Sequence, residues 1–262
     1  MTLLKHELKA YSKTLVIWMT CIGVCCFSCL LLFESLKENM EEVADMFSMM
    51  GGFSAALGMD QVNIGTIEGF YATEVAIIFA LGGAMFAAMT GAAILSKEEE
   101  GHTADFLHTL PFGRNYIVLW KYAALCLLCV LFSAGTMVWI LIGFGCMGEM
   151  PPVREFALYH GAQLLLQIEI GSICFLISSL CRKRQTGGAL GFAVLLYFME
   201  LMCRVVPAIR NLKYVTPYYF ANASDIFSTG TLHGEMAVCS IFVTVVSVFV
   251  SLSVYRRRDL AA

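Results

Sequence analysis

The chain has 262 residues, 59% of them hydrophobic and only 14% charged, with a mean hydropathy of +0.75. Soluble domains carry roughly 25% charged residues, so a fully water-facing exterior is excluded and lipid must cover much of the surface. The net charge of −3 points to no nucleic-acid partner, and its distribution along the chain says more than its sum.

The first predicted element is amphipathic. In Leu3–Lys13 the apolar Leu3, Leu4, Leu8 and Tyr11 lie near one face, and Lys5, Lys9 and Lys13 lie on another. Leucines in the interface with lysines reaching for anionic headgroups make an interfacial helix; the plainer reading is a basic tail anchoring the first span. A helix rises 1.5 Å per residue, so about 20 apolar residues cross a hydrocarbon core of about 30 Å. Six stretches qualify: Thr14–Phe33, Val75–Leu95, Tyr116–Met147, Phe156–Leu180, Gly188–Val206 and Met236–Tyr255. The first is long, has no clear small-x-small cleavage site and is followed by further spans, so it reads as a retained helix rather than a secretory signal. The third exceeds one bilayer thickness and must tilt or project. Backbone groups in lipid are satisfied only within helices or closed barrels, and no alternating ten-residue pattern is present. The fold class is therefore all-α, one transmembrane domain over residues 1–262 with about six spans.

Orientation follows from Lys and Arg. With both termini in the cytoplasm, twelve of the 17 fall inside, and only Lys37, Arg154, Arg204, Arg210 and Lys213 fall outside. Two sizeable loops then lie outside, Glu34–Glu74, acidic and rich in Met and Gly, and Pro207–Glu235. The 11 cysteines include the pairs Cys26/Cys29 and Cys126/Cys129, both within spans and without a histidine at zinc spacing. They read as reduced thiols acting as small hydrophobes. Glycines cluster at Gly82–Gly83, Gly143/Gly145 and Gly187-Gly188-x-x-Gly191, where small residues let helices approach closely. Met40, Met46, Met49, Met50 and Met59 either cap the bundle or offer an adaptable apolar surface to a substrate.

Charges inside spans need a reason. Glu169, near the middle of the fourth span, should face the bundle or water, since a central carboxylate costs about 2.5–3.5 kcal/mol on insertion scales. It lies about 160° round the helix from Gln167 and so faces away from the Gln163/Gln167 pair. Both a pathway-lining role and an interhelix hydrogen bond remain open for it. Glu200 and Arg204 stand at i,i+4 in the fifth span, a spacing that allows an ion pair near the outer face, either stabilising the helix or gating.

The inside loop SKEEEGHTADFLHTLPFGR, residues 96–114, is the most informative stretch. Ser96 and Glu99 have capping-box spacing, and Gly101 interrupts the helix they would start. Thr103 is placed to cap a second short helix that Pro111 ends. Phe106, Leu107 and Leu110 share its apolar face. A helix this short needs a surface to dock on, which is either lipid or a protein groove.

The run EEEGHTADFLHTLPFGRNYIVLWK resembles the E-E-x-G-T-x-x-x-L-L-x-x-P-x-x-R-x-x-x-x-x-x-K pattern of ABC-2 type permeases. Glu98, Glu99, Gly101, Thr103, Leu107, Pro111, Arg114 and Lys121 match it, while His102 is inserted and His108 replaces the second Leu. LLKHELKAYSKTLVIW is similar to the family's opening amphipathic helix, and LKYVTPYYFANASDIFSTG to the segment before its last span. The external stretch MGGFSAALGM…GTIEGFYATE also resembles the family's first loop. The resemblance implies a permease subunit in the plasma membrane, of bacterial type, paired with a second copy or a paralogue. It implies two cytoplasmic ATPase subunits that dock on a coupling helix between spans two and three. Phe106, Leu107 and Leu110 would form the docking face of that helix, with Thr103 and Pro111 at its ends and Glu99 and Arg114 flanking it. Export is the direction it implies.

No G-x-x-x-x-G-K-[ST] is present, so the chain is expected to have no nucleotide site, no cofactor and no enzymatic activity of its own. G-x-S-x-G and H-E-x-x-H are also lacking. The alternatives are a secondary transporter, disfavoured by the lack of evident repeat halves, and a non-catalytic membrane assembly protein.

Overall fold

The computed structural model describes residues 2–36, 46, 51–103 and 112–257. Among these residues six helices are long and apolar enough to cross a membrane: span 1 (Thr2–Leu36), span 2 (Ile67–Ile94), span 3 (Arg114–Cys146), span 4 (Val153–Leu180), span 5 (Thr186–Val205) and span 6 (Gly234–Arg257). Successive spans run in opposite directions. The N-terminus, the span 2–3 and span 4–5 connections and the end of span 6 therefore share one end of the bundle, called here the basic end.

Span 2 is the axis of the fold. Its most apolar window is 72% buried, against 17% for spans 1 and 6, and it packs on spans 1, 3, 4 and 5. Span 1 leans on span 3, and span 6 on spans 4 and 3. Small residues make the close contacts. A Cβ on Gly91 would lie 2.4 Å from the Gly171 carbonyl oxygen of span 4, and one on Gly83 would lie 2.4 Å from Gln167 Nε2. At Gly91 two helix backbones meet with no room for a side chain, and at Gly83 the Gln167 side chain lies directly on the helix backbone. Gly82 and Gly143 abut Ile22 and Leu30 of span 1 in the same way. Gly145, Gly187, Gly188 and Gly191 do not: a Cβ on any of them would meet nothing within 4 Å among the described residues.

Several boundaries move from the sequence expectation. Leu3–Lys13 is not a separate interfacial helix; it is the first three turns of span 1, unbroken to Leu36. No Gly or Pro lies in this stretch to stop the helix, and Leu3 and Glu7 are buried against the bundle rather than left to lipid. Span 2 starts at Ile67, eight residues before the apolar run, because Thr66 caps it by accepting a hydrogen bond from the Gly69 amide at 3.1 Å. Its second turn, Tyr71–Val75, is π-helical. Ser96 forms no capping box: it stays in helical geometry, and its hydroxyl donates back to the Ala92 carbonyl at 3.2 Å. At the far end the loop after span 5 holds a 3-10 helix, Pro207–Tyr214, and a short helix, Ala223–Thr229. The latter is capped by Asn222, and Gly230 ends it at φ 65°.

Candidate functional site

The chain leaves span 2 at the basic end through one more helical turn, Lys97–Glu100, and three of its side chains are tied to different parts of the bundle. Lys97 pairs with Glu7 of span 1 and lies 4.8 Å from the Tyr11 ring centroid. Glu98 accepts from Lys121 of span 3 at 2.5 Å. Glu100 accepts from Arg184, just before span 5, at 2.7 Å from Nε and 3.1 Å from the backbone amide. The amides of Leu95 and Ser96 both donate to the Ser178 hydroxyl of span 4 at 3.1 Å. One short turn is thereby bonded to spans 1, 3 and 4 and to the lead into span 5.

Lys121 is the centre of this cluster. It has no exposed surface, yet its ammonium donates to Glu98, faces Glu7 Oε1 at 3.2 Å and donates to the Ile94 carbonyl at 2.6 Å. A cation at the last carbonyls of span 2 meets the negative end of that helix. Two lysines and two glutamates (Glu7, Lys97, Glu98, Lys121) leave the group formally neutral, which is how buried charge is tolerated. Outside the spans, the Arg184 guanidinium holds the Glu100 carboxyl below the ordinary carboxylate range.

Of the residues expected at the coupling site, Glu99 is buried at the foot of the turn. Thr103 donates its hydroxyl to the Glu98 carbonyl at 3.4 Å. Arg114 reaches from the start of span 3 to the Arg256 carbonyl of span 6 at 3.1 Å. Phe106, Leu107, Leu110 and Pro111 lie outside the described residues. Before that segment the backbone passes through His102 at φ 52°, a left-handed conformation that non-glycine residues seldom adopt. Glu7 was missed by the sequence reading. Its signal was there: a lone carboxylate at i,i+4 between Leu3 and Tyr11, on the face taken to be apolar.

The polar residues within the spans form separate neighbourhoods. Gln167 accepts from Ser133 of span 3 at 2.9 Å, and Gln163 donates to the Ala221 carbonyl at 2.8 Å. Glu169 faces away from both, its carboxyl turned to Ser240 of span 6. Near the far end Arg204 pairs with Glu200, and its two terminal nitrogens take both oxygens of Asp225 at 3.2 and 2.7 Å. Asn222 donates to Glu200 at 3.1 Å, so the pair that the spacing allowed is one half of a latch fastening span 5 to the Ala223–Thr229 helix.

The model of the ABC-2 family transporter proteins matches residues 1–260. No curated protein matches the chain. Six spanning helices over nearly the whole matched length fit a membrane subunit that is not itself the ATPase. The chain thus belongs to the ABC-2 transporter family, as an integral, multi-pass permease of an ABC transporter.

Proposed function

We propose that this permease couples ATP hydrolysis by two separate cytoplasmic ATPase subunits to export of a substrate across the plasma membrane of a bacterial cell. The observation that carries the reading is the charge cluster at the basic end. The turn leading into residues 104–111 is bonded to spans 1, 3 and 4 and to the start of span 5, so a displacement of that segment would be felt by the bundle as a unit. The buried charge-assisted bonds among them, Lys121 to Glu98 and Lys97 to Glu7, are each worth about 1.5–3 kcal/mol, enough to transmit a push rather than absorb it. Twelve of 17 Lys and Arg on that side support a cytoplasmic basic end with both termini inside.

Phe106, Leu107 and Leu110, between Thr103 and Pro111, would be the face that enters the ATPase groove, with Glu99 and Arg114 holding the segment's two ends. A second copy or a paralogue completes the pathway. The unpacked Gly187, Gly188 and Gly191 on span 5 support a close helix partner from outside the chain. Glu169 serves as a polar contact between spans 4 and 6, and Glu200–Arg204–Asp225 as the far-end latch.

The test is the double variant Leu107→Asp/Leu110→Asp in the membrane-inserted protein. Loss of ATPase binding with insertion intact is the expected result. Normal assembly and normal ATPase stimulation would remove the docking assignment.

A further inference from the structure

Spans 1 and 5 both pack on span 2, yet no substantial contact joins them to each other among the described residues. A groove therefore runs between them with span 2 as its floor. The floor is legible in the burial pattern. On a span otherwise almost wholly enclosed, Glu74, Ile78, Leu81, Met85 and Met89 stay partly exposed, spaced three or four apart along one face. That stripe covers about 22 Å of helix.

Both ends of the groove are marked. At the basic end it widens into a cavity of about 740 Å³ between Tyr11 and Thr14 of span 1, Met89 and Ala93 of span 2, and Thr186 of span 5. Sites for drug-sized ligands occupy about 300–1,000 Å³. Among the described residues the Lys, Arg and Glu side chains on its rim are already used, Lys97 with Glu7, Glu98 with Lys121 and Arg184 with Glu100. At the far end stands Glu74, within electrostatic reach of Cys29 of span 1 and Tyr197 of span 5. Among the described residues no hydrogen bond or ion pair holds its carboxyl. Arg204, two turns beyond Tyr197, is committed to Glu200 and Asp225.

The π-helical turn accounts for the placement. In an α-helix, residues three apart lie on nearly the same face. Tyr71 is fully buried among Phe144, Phe156 and Phe227, and its hydroxyl meets His160 Nε2 at 3.1 Å. The wider turn at Tyr71–Val75 opens the angle, leaving Tyr71 in the core and Glu74 on the groove.

We propose that this groove binds an amphiphilic cation, with its apolar body along Leu81, Met85 and Met89 and its positive group against Glu74. The inference rests on the permease reading and names the substrate class of that same subunit. An apolar channel with an uncompensated carboxylate selects against anions and gives a cation a counter-charge where water is scarce. Methionines suit a floor that takes bodies of differing shape.

The test uses the purified full chain in nanodiscs of zwitterionic lipid and two probes of the same shape and opposite charge, tetraphenylphosphonium and tetraphenylborate, followed by equilibrium dialysis. The wild type should bind the cation at least tenfold more tightly than the anion. Glu74→Gln should remove most of that preference, and Glu74→Asp should keep it. Equal binding of both probes, or a Glu74→Gln variant that keeps the preference, overturns the proposal. So does a groove closed by a second copy, seen as efficient Leu81→Cys crosslinking between copies with no probe bound. Because the assay contains no ATPase, its failure leaves the coupling assignment standing, and loss of ATPase docking would leave probe binding unchanged.

Discussion

Replacing Lys121 by methionine removes the ammonium at the centre of the basic-end cluster while keeping a side chain of similar length. Three acceptors lose a donor at once: Glu98 Oε1 at 2.5 Å, the Ile94 carbonyl at 2.6 Å and the neighbouring Glu7 Oε1 at 3.2 Å. The remaining group, Glu7, Glu98 and Lys97, carries a net charge of −1, and the Glu7 side chain has no exposed surface. Stranding a buried charge in this way costs about 3–5 kcal/mol. The Lys121→Met/Glu7→Gln double variant restores the charge balance, with Lys97 and Glu98 left as a pair 3.8 Å apart. The two losses should therefore fall short of additivity by about 1–3 kcal/mol. Reversible unfolding in mixed micelles with increasing SDS fraction measures all four corners of the cycle. A Lys121→Met loss under about 1 kcal/mol, or strict additivity with Glu7→Gln, would refute the cluster as a load-transmitting unit.

At the far end, Arg204→Met should cost about 3–5 kcal/mol by leaving Glu200 and Asp225 unpaired, with hydrogen exchange rising first over residues 216–229. Gly91→Ala should cost about 1–3 kcal/mol, because the added carbon meets the Gly171 carbonyl rather than a side chain able to yield; the same unfolding assay reads it. His102→Gly should stabilise the folded protein by about 1 kcal/mol by relieving the left-handed backbone, visible as a small rise in melting temperature. Glu100 has its carboxyl lowered by Arg184, so that tie is fully present at neutral pH and is lost only as pH falls through the lowered value. Followed by NMR, the Glu100 carboxyl signal should accordingly titrate below the ordinary carboxylate range, and the Arg184 Nε–H signal should shift with it.

The six spans were readable because apolar runs of this length have no other stable use. Their ends were harder, since caps and buried charges extend a helix past its apolar stretch. Glu68 and Glu74 disguised the start of span 2, and the basic face of Leu3–Lys13 disguised the first turns of span 1. Glu98 and Lys121 were recognised as members of a motif, but the reason for their spacing became visible only with the bundle assembled. Lys121 enters span 3 where Glu98 leaves span 2, at the carbonyl end of that helix. The i,i+4 spacing of Glu200 and Arg204 announced a local pair, while Asp225, 21 residues on, carried no signal that it would join them. Glycine spacing alone did not separate Gly83, which meets Gln167, from Gly188, which meets nothing among the described residues.

The claim on which the account turns is that this permease works with a separate ATPase through residues 104–111. Affinity purification of the tagged chain from its native membrane in mild detergent, with identification of stoichiometric partners, tests it most directly. The account predicts a co-purifying P-loop ATPase that disappears with Leu107→Asp/Leu110→Asp. A clean species with no ATPase, from membranes in which the chain is folded and inserted, would contradict it.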